Sequence, residues 1–182
     1  LGDVFCFGKM IIDYLNFISK KKSQITIFIL LNICGLIFFL LPYDIFANML
    51  DLKFSYNEET VKRSFVLIGE DGRQLYFFSA LIIDTIYPLL YVSLFIGAYY
   101  RLFKKNAFLF IFPLMAGLFD ISENIHVSLL LSNFPTLSSQ NIFYSSTSTS
   151  IKWIAIGISL TVLIYGIITV SYTHLRAHET RP

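Results

Sequence analysis

Carboxyl groups inside apolar segments are the residues of this sequence that could carry chemistry. Three of the 12 acidic residues, Asp84, Asp120 and Glu123, lie in blocks long and apolar enough to cross a bilayer. Ionisable groups are costly there, so by default they indicate a functional site. Such carboxyls can bind a cation, carry a proton or act as general acid and base.

The three carboxyls are expected at one depth in the membrane. If residues 75–100 enter from the side to which residues 107–131 return, Asp84 lies roughly 14 Å below that surface, at about 1.5 Å per helical residue. Glu123 and Asp120 then lie roughly 12 and 16 Å below it. Two neighbouring helices can therefore bring the three groups together.

Helical spacing selects the residues that accompany these carboxyls. Asp84, Tyr87 and Tyr91 share one helix face. Pro88 has no N–H for the carbonyl of Asp84, so a kink and a free backbone acceptor are expected there. Adding the face of the next helix gives a predicted ligand-binding pocket that opens toward the outside, formed by Asp84, Tyr87, Tyr91, Asp120, Glu123 and Asn124.

Two other interpretations of these residues remain open. Protonated carboxyls, tyrosines and asparagines can simply join helices by hydrogen bonds, at about 0.6–2 kcal/mol each. Asp120, Glu123 and His126, with Asp84 opposite them, could also be metal ligands, but the first three spread over about 120° of the helix. Because the set contains only one histidine and follows no complete metal-ligand motif, neither a metal nor another cofactor is predicted.

The elements that must position these residues are four membrane-spanning helices. Of the 182 residues, 55% are hydrophobic and 14% charged, against roughly a quarter charged in soluble domains. The apolar residues form blocks at about 25–41, 75–100, 107–131 and 151–170. The predicted fold is an all-α, four-helix transmembrane bundle that forms a single domain over residues 1–170.

The charged segment 43–74 is expected to carry a short amphipathic helix on the membrane surface. Ser55 and Glu58 fit a capping box, and Gly69 is a plausible stop. Between them, apolar residues recur at helical spacing. The uncharged segment 132–150, rich in Ser, Thr and Asn, is predicted to be a loop.

Basic residues near the helix ends set the expected orientation. Compact clusters at one end, Lys20, Lys21, Lys22, Arg101, Lys104 and Lys105, should face the cytoplasm. The chain is therefore predicted in the plasma (inner) membrane with both termini cytoplasmic. Tyr43, Tyr76 and Trp153 would lie in an outer aromatic belt.

Two further basic residues were considered at the outer surface. Arg73 is interpreted as an interface anchor rather than an anion ligand. Lys152 could likewise be an interface anchor or an anion ligand, and as a third possibility its side chain could reach toward Glu123.

Several features exclude other classes of protein. The net charge of +2 is too small to indicate a nucleic-acid partner. Two cysteines without CxxC or Cys/His spacing provide neither a redox motif nor a zinc site. Residues 171–182 resemble a translated adapter sequence, so they are treated as a non-native tail and excluded from the site.

Three motifs carry a resemblance to a family. These are Gly72-Arg73 followed by Tyr76, the stretch Asp84-Thr-Ile-Tyr-Pro-Leu-Leu-Tyr91, and Asp120-Ile-Ser-Glu-Asn124. The chain resembles an uncharacterised family of small four-helix integral membrane proteins found in bacteria and some fungi. The resemblance implies the four-helix architecture and brings no established activity.

Three functions remain in view. The leading hypothesis is binding or transport of a cation, a proton or a small polar ligand through the carboxylate cluster. An intramembrane enzyme acting on lipid would use the same carboxyls as acid, base or metal ligands. A structural or assembly subunit would use them only to hold helices together. Membrane lipid is the expected partner in each case, and a transporter of this size is expected to form homo-oligomers.

Overall fold

The computed structural model describes residues 2–103 and 106–179, with side chains for residues 6–103 and 106–170. These ranges are helical, with no β-strand among them. The helices, in chain order, are α1 (Gly2–Ile18), α2 (Lys21–Phe39), α3 (Ile45–Asn48), α4 (Glu58–Leu102), α5 (Ile111–Ser132) and α6 (Ser139–Glu179). A 3-10 turn, Ala107–Phe110, leads into α5.

Four helices in the described part of the chain are long and apolar enough to cross a membrane: α2, α4, α5 with its 3-10 turn, and α6. The predicted all-α class with four such helices is confirmed. Among the four apolar stretches, those of α4 and α5 are the most buried and that of α2 the least. The protein interior therefore lies between α4, α5 and α6, with α2 along its side.

The fourth long helix begins earlier than predicted. The predicted loop 132–150 is correct only for residues 133–138 and wrong for the rest, because α6 starts at Ser139. The hydroxyl of Ser150, for example, lies 3.0 Å from the carbonyl oxygen of Ser146, four residues before it. Small hydroxyl side chains can thus be satisfied within a helix, which composition alone does not indicate.

The second long helix also starts earlier, at Glu58. Its N-terminal cap is Asn57, whose side chain accepts from the Thr60 N–H at 3.0 Å, so the capping box at Ser55 is wrong. The backbone breaks at Gly69, with φ of 70°, and helix resumes at once. Only a glycine adopts that conformation without strain.

Arg73 spans this break. Its Nη1 donates to the carbonyl of Phe65 at 3.0 Å, and its guanidinium lies 4.6 Å from the ring centre of Phe134. The predicted role of Arg73 as an interface anchor stays a prediction, and these contacts are compatible with it. Its charge is used to join the two segments of α4, because a broken helix leaves carbonyl groups that need donors.

The basic clusters lie together at one end of the bundle. Gly97, near the end of α4, lies against the Ile18 carbonyl and the Gln24 side chain, next to Lys20–Lys22. Arg101 is one helical turn further along α4. Lys104 and Lys105 fall outside the described residues. The segment between α2 and α4 lies at the opposite end.

Gly97 permits this close approach, which makes it a test of the packing. A Cβ there would lie 2.5 Å from the carbonyl oxygen of Ile18, a backbone atom. At Gly117 the nearest atom would be a methyl group of Val92, at 2.6 Å. We expect Gly97→Ala to lower the free energy of unfolding in detergent by about 1–3 kcal/mol, and Gly117→Ala by less. Equal losses in the two variants would contradict the backbone contact.

Candidate functional site

A buried lysine lies among three carboxylates. The Nζ of Lys152 is 2.5 Å from Glu123 Oε2, 3.2 Å from Asp120 Oδ1 and 3.9 Å from Asp51 Oδ1. All four side chains are almost completely shielded from solvent. We call Lys152, Asp51, Asp120 and Glu123 the lysine–carboxylate cluster.

Three parts of the chain build this cluster. Asp51 lies between α3 and α4, and Asp120 and Glu123 are one turn apart on α5. Lys152 lies roughly 20 Å along α6, at about 1.5 Å per residue. The placement of Lys152 at the start of its helix is therefore wrong, and of its three predicted roles the contact with Glu123 is observed.

Hydroxyl groups donate to each carboxylate of the cluster. Tyr76 donates to Asp51 Oδ2 at 2.5 Å, and Tyr91 donates to Asp120 Oδ2 at 3.0 Å. Thr149 donates to Glu123 Oε1. Tyr76 is completely buried, so its predicted place in an aromatic belt is wrong.

The segment before α4 is tied to the cluster. The indole of Trp153 donates to the backbone carbonyl of Asp51 at 3.0 Å. The hydroxyl of Tyr56 lies 2.5 Å from Ser145 Oγ and 3.3 Å from Thr149. Burial raises the pKa of the Tyr56 phenol above its usual range, and the Glu123 carboxylate adds to this. Tyr56 is therefore a neutral hydrogen-bonding group at ordinary pH.

Asp84 differs from the other carboxyls. Its backbone carbonyl, which Pro88 leaves without a helical donor, accepts from Asn124 Nδ2 at 2.8 Å. Its side-chain Oδ2 has no hydrogen-bond partner among the described residues, although the residue is only 6% exposed. Asp51 Oδ1 and Glu123 Oε2 also lack a hydrogen bond, but both face the Lys152 ammonium, which Asp84 does not. A buried carboxylate oxygen without a partner is costly, so it marks a place where something else can bind.

A cavity of about 140 Å³ adjoins both Asp84 and the cluster. Its polar side is formed by Asp51, Asp84, Asp120 and Lys152. The remaining wall is apolar and largely aromatic, and consists of Gly35, Phe38, Phe46, Met49, Leu52, Tyr87, Tyr91, Trp153 and Ile156.

The six residues of the predicted pocket take different positions. Asp84, Tyr87, Tyr91 and Asp120 line the cavity. Glu123 is fully buried and is not among the lining residues. Asn124 does not line the cavity either, and its side chain donates a hydrogen bond to the Asp84 carbonyl.

The sequence did not indicate Asp51 as a site residue, because a charged residue in a long polar segment gives no sign that it is buried in the fold.

A metal would compete with the lysine for the same oxygens. One carboxylate oxygen from each of Asp51, Asp120 and Glu123 lies within 4.8 Å of the others. The Lys152 ammonium contacts two of these residues directly and is already their cation. His126, considered as a further ligand, pairs with Asn141 and stacks on Tyr144 instead.

The charges of the site do not balance. Among the described side chains, the buried Asp, Glu and Lys residues are Asp51, Asp84, Asp120, Glu123 and Lys152. Four acids against one base give a formal charge of −3. Uncompensated charge is expensive away from water, so protons or bound cations must neutralise most of it.

Comparison of the chain with family models, curated proteins and solved structures finds no significant match. The resemblance to small four-helix membrane proteins therefore stays a prediction.

Proposed function

We propose that this chain is a multi-pass membrane protein that binds or transports a small cation, a proton included, at the cavity beside Asp84. The observation that carries the proposal is the Asp84 side chain. It is buried, has an oxygen with no partner in the part of the chain that the structure describes, faces a cavity, and adds a fourth acid to a group that contains one lysine.

Insertion in the membrane is supported by the four long apolar helices and by the burial of the charged side chains in their apolar parts, Asp84, Asp120, Glu123 and Lys152. We place the end with Lys20–Lys22 and Arg101 in the cytoplasm, following the positive-inside rule. The cavity then lies nearer the outer side of the plasma (inner) membrane. Residues 58–68, before the break in α4, would lie at that outer surface.

The family resemblance is kept as part of this proposal. Its motifs coincide with the site, since Asp84, Tyr87 and Tyr91 come from one motif and line the cavity. Asp120 and Asn124 come from another motif. We propose that the motifs describe a ligand site.

A structural role is the second candidate, and one observation favours it. Asp51, Asp120 and Glu123 each have a hydroxyl donor and share Lys152, so the cluster can hold α5, α6 and the segment before α4 together. Asp84 separates the two candidates, because its side chain takes no part in the ion pairs of Lys152.

The deciding variant is Asp84→Asn. We expect it to leave the free energy of unfolding in detergent unchanged or to raise it by up to about 2 kcal/mol, because a functional charge without a partner is removed. It should also abolish any stabilisation that added cations or protons give the parent protein. Thermal unfolding across a series of salts and pH values measures both effects.

Asp120→Asn is the matched control. It weakens the charge-assisted hydrogen bonds that the carboxylate accepts from Lys152 and Tyr91, so it should lower stability whether or not the site binds a ligand. A loss of several kcal/mol in Asp84→Asn as well, with unchanged salt and pH dependence, would show that Asp84 is structural and would overturn the proposal.

A further inference from the structure

The size of the cavity limits its occupant. A volume of about 140 Å³ is close to that of an engineered protein cavity of about 150 Å³ that accommodates benzene. A ligand of about six non-hydrogen atoms or fewer therefore fits. Sugars, nucleotides and lipid headgroups bearing their glycerol are too large.

The wall favours an organic cation over a metal ion. Metal ions such as Ca²⁺ and Mg²⁺ require about six oxygen ligands. The unpartnered oxygen of Asp84 would supply only one of them. Aromatic rings, in contrast, stabilise ammonium ions through their faces. The rings of Tyr87 and Tyr91 meet edge to face at 6.0 Å, and both line the cavity next to its acidic residues.

The site already contains an ammonium group in this kind of environment. The Nζ of Lys152 lies 5.8 Å from the ring centre of Trp153 while it pairs with carboxylates. Lys152 repels a second cation, but the three carboxylates around it more than offset its charge. Asp84 remains to pair with a cation from outside.

From these observations we infer that the ligand is a small organic ammonium ion, held between the Asp84 carboxylate and the aromatic wall of the cavity. This inference rests on the proposed function and specifies its ligand. The cation's positive charge pairs with Asp84, and its alkyl groups contact the aromatic rings. The water shell of a hydrated metal ion would not make these apolar contacts.

A groove on the outside of the bundle offers a route of entry. It lies along α2, and it shares Gly35 and Tyr87 with the cavity. A Cβ placed at Gly35 would meet nothing within 4 Å, so this position is open space between the two. A side chain added at residue 35 therefore begins in open space rather than against a neighbouring atom.

Trp153 provides the measurement, because it is the single tryptophan of the chain and lines the cavity. The purified protein in detergent is titrated with tetramethylammonium and methylammonium chloride, and in parallel with the chlorides of sodium, potassium and magnesium at equal ionic strength. We expect a saturable fluorescence change with the ammonium ions alone. Asp84→Asn should raise their apparent Kd at least about tenfold, as loss of a charge-assisted contact does. Tetrabutylammonium, which is too large, should give no change.

Gly35→Leu tests the position of the ligand, with Gly157→Leu as the matched control. Both glycines are helical, and a Cβ at either meets nothing within 4 Å. Gly157 is exposed and does not line the cavity. Gly35→Leu should weaken ammonium binding at least about tenfold, whereas Gly157→Leu should leave it unchanged.

The outcomes separate this inference from the proposed function. A response to sodium, or to pH alone, that disappears in Asp84→Asn would overturn the ammonium ligand and leave cation or proton binding standing. The absence of any response dependent on Asp84 would overturn both. Ammonium binding that is unaffected by Gly35→Leu would overturn the placement of the ligand in this cavity.

Discussion

Lys152→Met is expected to lower the free energy of unfolding by about 3–5 kcal/mol. The substitution keeps the length and apolar stem of the side chain but removes the cation that Asp51, Asp120 and Glu123 share. Breaking a buried ion pair from one side leaves uncompensated charge, and this has a cost in that range. Unfolding of the purified protein in detergent, by heat and by denaturant, measures the loss.

Lys62→Met is the control for this experiment. Lys62 forms a short ion pair with Glu58, at 2.6 Å, but both side chains are about half exposed. Such a surface pair contributes at most about 0.5 kcal/mol. Adding Glu123→Gln to Lys152→Met should restore part of the lost stability, because one uncompensated carboxylate disappears. Similar small losses in both lysine variants would show that the cluster does not depend on its lysine.

Tyr76→Phe is expected to destabilise the protein by about 3 kcal/mol. The Tyr76 hydroxyl donates to Asp51 Oδ2 at 2.5 Å and accepts from the Leu50 N–H at 3.1 Å, and it is fully buried. Its removal leaves a carboxylate oxygen and a backbone donor without that partner, each at about 1–3 kcal/mol. Since Asp51 belongs to the segment before α4, residues 49–57 should also become more susceptible to limited proteolysis.

Tyr99→Phe is the matched control, because Tyr99 is equally buried. Its hydroxyl makes one hydrogen bond, to the carbonyl of Ser159 at 2.6 Å. A loss of about 1 kcal/mol, with no change in proteolysis at residues 49–57, is expected. If the two phenylalanine variants behaved alike, Asp51 would not depend on Tyr76 for its position.

Helical spacing alone predicts which residues lie next to the Asp84 carboxyl group. Asp84, Tyr87 and Tyr91 were assigned to one face because residues three and four apart align on a helix, and all three line one cavity. The free carbonyl of Asp84 followed from the chemistry of Pro88, and Asn124 from the neighbouring helix donates to it. Local helix geometry, together with the equal depth of Asp84, Asp120 and Glu123 along two adjacent helices, is enough to predict these positions.

Asp51 and Lys152 show where that reasoning ends. Asp51 lies in a polar segment, and its burial depends on Tyr76, Trp153 and Lys152, each at least 25 residues away in the chain. Lys152 was misplaced because the residues before it are small and polar, a composition that loops and buried polar helices share. Only the contact of α6 with α5 decides between them.

The sequence by itself determined the helical class, the four apolar segments and the faces that carry Asp84, Asp120 and Glu123. Apolar length and helical periodicity are properties of neighbouring residues, so they can be read along the chain. The tertiary structure decided that three carboxylates share a single lysine and keep an excess of negative charge, while the Asp84 side chain lies outside those ion pairs and beside a cavity. Long-range packing alone fixes which charges meet, because a buried charge takes whichever partner the fold places within reach.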